Sequence, residues 1–167
     1  MKQLLPIVSL SLLFPALGCA QDKKEYPSLP SEVFSTYEPK AAESVTAETM
    51  AKAAQKFLDS LDPDVLKQAS YPFDNDEKYR WTNTPPRGPQ GGVRMGDLEK
   101  GQLKLALDLL STVLSPQGYF KARNIPLADD ELLPGGRRRP GFGAEDYWLA
   151  IFGEPSAERN SAACLSH

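Results

Sequence analysis

Few side chains in this sequence are equipped for catalysis. The one histidine is His167 at the C-terminal end, and the two cysteines, Cys19 and Cys164, are far apart in the chain. Serines and tyrosines are present, but nothing in the sequence places a base beside them to raise their nucleophilicity. The groups that remain suit binding. Arg80 and Arg87 flank Trp81 in a stretch dense in proline and glycine, and are the best-placed cations for an anionic ligand. Ser115, Gln117, Gly118 and Tyr119 stand together in one turn that could line a pocket. Asp129, Asp130 and Glu131 read as a solvated acidic face, with no further ligands nearby for a metal. Gly91-Gly92 lacks the Lys-Ser/Thr that a phosphate loop requires, and Arg137, Arg138 and Arg139 lack the interleaved aromatics of a nucleic-acid site. No metal site and no cofactor can be specified from these residues.

Composition agrees. The chain has 167 residues, 41% hydrophobic and 25% charged, with a formal net charge of −3, which is ordinary for about one soluble domain. No overall positive field is available for nucleic acid.

Met1-Lys2, the uncharged apolar stretch Leu4 to Leu17 and the small residues Gly18, Cys19 and Ala20 form the pattern of a secretory signal peptide over residues 1–20. The stretch is too short for a bilayer span and is interrupted by Pro6 and Pro15. Ala16-Leu17-Gly18-Cys19 resembles a lipobox, which makes Cys19 the candidate acylation site and membrane tether. Cleavage after Ala20 is the alternative and gives an unanchored product. Either way the expected location is outside the inner membrane: periplasmic, outer-membrane-anchored or secreted.

Several elements must position the candidate residues. Residues 21–44, with Pro27, Pro30 and Pro39, read as a disordered linker. A helix is expected from Thr46 to Leu61, because Met50, Ala53, Ala54, Phe57, Leu58 and Leu61 recur at helical spacing. Asp62-Pro63-Asp64 begins a short helix that Pro72 ends. From Tyr71 to Gly96 the chain reads as irregular, with Trp81 anchoring it to the core. The most apolar helix spans Gly96-Asp97 to Leu114 and leaves only the stripe Lys104, Asp108 and Ser111 polar. Ser115-Pro116 opens another helix to about Asn124 or marks a bend in one interrupted helix, and Leu127–Leu133 reads as a separate, brief acidic helix or turn. Tyr147–Phe152 is apolar on both faces and predicts a buried strand. The fold class is therefore mainly α, a helical core with one buried C-terminal strand near 146–152.

Phe57-Leu58-Asp59-Ser60-Leu61, Tyr71-Pro72-Phe73-Asp74, Arg80-Trp81, Leu114-Ser115-Pro116-Gln117-Gly118-Tyr119 and Trp148 through Pro155 occur in the order of an uncharacterised family. The chain resembles domain of unknown function 3500 over about residues 45–158, which brings no activity with it. The resemblance implies an α+β domain that continues past Phe152-Gly153-Glu154-Pro155 into a tryptophan-bearing strand and a histidine pair. Residues 159–167 carry neither and read as an atypical tail, the signature of a truncated or frameshifted copy. On that reading the Tyr147–Phe152 strand lacks partners and the C-terminal end is partly open. Two classes of function follow. One is an envelope module binding a small-molecule or envelope ligand; the other is a fragment of a secreted metal-assisted hydrolase whose histidine-bearing half is missing, inactive in this form.

Overall fold

The computed structural model describes residues 26–39, 46–82, 84, 88–132, 141–158 and 162–166. Among the described residues it is mainly α with a small sheet: five α-helices and four strands.

The first helix, α1 (Leu29–Thr36), lies where a linker was expected. The prolines misled. Pro30 falls in the first turn, where a backbone N–H has no intrahelical partner to lose, and Ser28 caps the start by accepting from the Ser31 amide. Val33 and Phe34 are buried against α4 and α5, so α1 belongs to the core.

The expected helical pattern is present in α2 (Ala47–Leu58), whose cap is reciprocal: the Thr49 amide donates to Thr46 Oγ1 and the Thr46 amide to Thr49 Oγ1. Pro63 opens α3 (Pro63–Ala69). The strongest apolar run forms α4 (Lys100–Val113), which buries Leu103, Ala106, Leu107, Leu109 and Leu110 and packs against α1, α2 and α5. Its polar stripe is not left to solvent, because Tyr37 covers it, donating to Asp108 Oδ1 at 2.9 Å with the Lys104 ammonium over its ring.

One helix, α5 (Pro116–Glu131), replaces the shorter helix and the separate acidic helix or turn expected from the sequence. Pro126 lies inside it and is buried. A proline there removes one helical hydrogen bond, a loss of about 3 kcal/mol or more. Burial of its ring and the anchoring of Asp129 and Asp130 offset that loss.

The buried strand is β3 (Trp148–Phe152), with Leu149, Ala150, Ile151 and Phe152 all in the interior. The expectation that it lacks partners is overturned. On one edge β1 (Ser70–Tyr71) pairs parallel to its end, Tyr71 opposite Phe152, and β2 (Val93–Arg94) pairs antiparallel to its start, Arg94 opposite Trp148. On the other edge β4 (Ala162–Ser166), drawn from the supposedly atypical tail, pairs antiparallel along the whole length of β3. Two-residue strands are too short to show alternation, and β4 holds only one large apolar residue, Leu165. No helix among the described residues is long and apolar enough to cross a membrane.

Candidate functional site

After β1 the chain turns through Asn75, whose side chain accepts from the Glu77 amide at 2.8 Å and starts a single 3-10 turn over Asp76–Tyr79. This delivers Arg80 and Trp81 to the surface. Arg80 Nη1 pairs with Glu77 Oε2 at 3.2 Å and so has a carboxylate beside it already. Trp81 does not anchor the loop to the core; it is 61% exposed. With Glu77, Gln90, Gly91, Ala150 and Phe152, these residues line a shallow cavity of about 10 Å³.

The Gly91-Gly92 pair has a structural explanation. A Cβ on Gly91 would lie 2.2 Å from Glu77 Cγ, so only glycine lets the Glu77 side chain pack there. Gly92 adopts φ +105° and donates its amide to the Tyr71 hydroxyl at 3.1 Å.

Ser115, Gln117, Gly118 and Tyr119 form the first turn of α5, and none of them lines the Trp81 cavity. Ser115 Oγ accepts from the Gly118 amide at 3.1 Å as an N-cap, and Gln117 is exposed. The Tyr119 hydroxyl is buried without a hydrogen-bond partner, and burial raises its pKa. The Trp81 loop and the Ser115–Tyr119 turn therefore share no cavity here. Cys19, Arg87 and the basic run at 137–139 lie outside the described residues.

The acidic face is corrected as well. Asp129 Oδ2 accepts from the Tyr147 hydroxyl at 2.6 Å, and Asp130 accepts from Ser31 Oγ and, at 3.3 Å, from the Ala144 amide. Burial first, then the bond to Asp129, pushes the Tyr147 pKa well above its ordinary value. These carboxylates tie α5 to α1 and to the loop entering β3. Arg94 clamps the same loop, donating from Nε and Nη2 to Asp146 Oδ1 at 2.9 and 2.7 Å and from Nη2 to Glu145 Oε2 at 3.1 Å. Burial opposes its charge, but the Asp146 bond and the surrounding carboxylates outweigh that and raise its pKa.

A larger feature went unread as a site in the sequence. Parallel pairing of β1 with β3 sets Tyr71-Pro72-Phe73 beside Gly153-Glu154-Pro155, and Gly153 turns the chain at φ +83° while its amide donates to the Tyr71 carbonyl at 2.8 Å. The two segments form one wall of an open groove of about 1000 Å³, and Gln55, Leu58, Asp59, Leu61, Leu66 and Ser70 supply the rest. No local signal marks it, since the pairing that joins the two segments involves a strand of only two residues. Among the described residues, no group of three or more His, Cys, Asp or Glu could hold a metal ion.

A mainly α domain with a four-stranded sheet and an open groove of mixed polar and apolar lining is the class that the geometry defines. The chain belongs to the protein-of-unknown-function family DUF3500, whose model matches residues 43–163. No curated protein and no solved structure matches it.

Proposed function

We propose that this chain is an exported, envelope-associated binding module that takes a small, largely apolar ligand in the groove between α2, α3 and the ends of β1 and β3. The observation that carries this reading is the groove itself. Its volume of about 1000 Å³ is at the upper end for small-molecule sites, and Leu58, Leu61, Leu66, Tyr71, Pro72, Phe73 and Pro155 give it an apolar wall. Gln55, Asp59, Ser70 and Glu154 supply the few polar groups that would orient a ligand. Export rests on the Met1–Ala20 leader, with Cys19 as the candidate tether.

The test uses N-phenyl-1-naphthylamine, a neutral dye whose fluorescence rises in apolar sites. Phe73 is 42% exposed and lines the groove, so Phe73→Ala removes ligand contact with little harm to the core. Losing about 40 Å² of apolar contact costs roughly 1 kcal/mol, or about fivefold in affinity. Saturable binding weakened by that factor supports the reading. Absence of saturable binding, or binding indifferent to Phe73→Ala, refutes it.

A further inference from the structure

A second surface, independent of the groove, has its own chemistry. We propose that Trp81 and the polar groups around it form a site for an uncharged saccharide.

Trp81 is 61% exposed and Tyr79 72% exposed, within one short turn, although burying such rings is among the largest gains available to a folded chain. Around Trp81 stand a carboxylate (Glu77), a guanidinium (Arg80) and an amide (Gln90). Together they offer acceptors only, donors only, and both. A pyranose ring has the matching character. One face is C–H and lies on an indole, while its rim of hydroxyls both donates and accepts.

Charge favours an uncharged ligand. Glu77 and Arg80 already form an ion pair at 3.2 Å, so an anion would have to compete with Glu77 for the arginine. Along Asp76–Arg80 the carboxylates of Asp76 and Glu77 balance Lys78 and Arg80, so no net positive charge draws an anionic membrane surface. The cavity beneath Trp81, about 10 Å³, has room for about one water molecule, so a ligand must lie across the ring rather than enter the protein.

The polar rim is held in place. Glu77 packs against Gly91, where any side chain would collide with it, and its backbone amide is fixed by Asn75. Its side chain is 22% exposed against 65% for Arg80, so the carboxylate is the fixed member of the pair. Ala150 and Phe152, from the central strand, also line the cavity.

The test is titration of the full chain with chitotetraose, a β-linked glycan, and with maltotetraose, an α-linked one, followed by tryptophan fluorescence and calorimetry. The chain has two tryptophans, and Trp148 in β3 serves as the internal reference. Saturable binding of at least one oligosaccharide is expected, with a blue shift that Trp81→Ala abolishes. That variant should weaken binding by about tenfold or more, the behaviour of an aromatic anchor, and leave the circular dichroism spectrum unchanged because Trp81 is outside the core. Gln90→Ala should weaken it less, and Trp148→Phe should leave calorimetric affinity unchanged. Failure of both oligosaccharides to bind the folded chain overturns the proposal. So does undiminished binding in Trp81→Ala, or a Trp81-dependent response only to anionic lipid vesicles or to a proline-rich peptide.

Discussion

Replacing Phe34 by alanine separates a packed helix from a tether. Phe34 is 2% exposed in the cluster formed by α1, α2, α4 and the sheet. Truncating a buried phenylalanine costs about 3 to 5 kcal/mol through lost transfer energy and the cavity left behind. At an exposed linker position the same change falls within about 0.5 kcal/mol of zero. The ends of α1 are held independently of that ring, by Ser31 Oγ on Asp130 at one end and by Arg123 Nε on the Phe34 carbonyl at the other, so the helix stays in place and the cavity is not relieved by its leaving. Equilibrium urea unfolding, followed by far-ultraviolet circular dichroism and tryptophan fluorescence, measures the loss. For a slope of about 2 kcal/mol per molar urea, the midpoint should fall by roughly 1.5 to 2.5 M. Thr36→Ala, on the exposed side of the same helix, should move it by less than about 0.3 M. A Phe34→Ala midpoint as close to wild type as that of Thr36→Ala would refute the placement of α1 in the core.

Two further outcomes concern tyrosines. Burial, followed by the hydrogen bond to Asp108, pushes Tyr37 from its ordinary 10.0 up to about 12. Between those values the unfolded chain has lost the proton and the folded chain keeps it, so stability falls as pH rises through that window. Stability measured from pH 9 to pH 12 should therefore fall more steeply for the wild type than for Tyr37→Phe, and parallel curves would exclude the effect. Tyr147→Phe removes the donor to Asp129 at 2.6 Å, a hydrogen bond to a charged group that contributes about 1.5 to 3 kcal/mol. Its melting temperature should drop by roughly 3 to 10 °C, and a double-mutant cycle with Asp129→Asn should show coupling above about 0.5 kcal/mol. Additive effects would mean that the bond carries no stability.

What could be read from the sequence follows from what each element displays locally. The α2 and α4 helices announce themselves by apolar period, and Ser115-Pro116 marks the start of α5, because those signals reside in the element itself. The α1 helix was obscured because Pro27 and Pro30 look like breakers until one of them is seen to occupy the first turn. Pro126 lies just past the expected end of that helix near Asn124, yet tertiary contacts of Asp129 and Asp130 carry α5 through it. The partners of β3 were invisible, since β1 and β2 have two residues each and β4 has no apolar alternation. Trp81 was expected to anchor its loop to the core and is exposed instead, because residue type alone does not fix burial. The groove could not be read at all, because its wall joins Tyr71–Phe73 to 153–155 only through a parallel strand pairing.

That same pairing explains how one strand can serve two surfaces. The Phe152 ring stacks on Tyr71 with centroids 5.4 Å apart and planes 23° from parallel; Phe152 lines the Trp81 cavity and Tyr71 the groove. Phe152 is 2% exposed and its strand is hydrogen-bonded on both edges, whereas Tyr71 sits half-buried in a two-residue edge strand. The Tyr71 hydroxyl accepts from Gly92, the neighbour of the Gly91 against which Glu77 packs, and Glu77 holds Arg80. Tyr71, the Gly91-Gly92 pair, Glu77 and Arg80 thus form one run of contacts between the groove wall and the surface around Trp81. The glycines that lack a phosphate loop's lysine have a packing role instead, one beside Glu77 and the other on the Tyr71 hydroxyl.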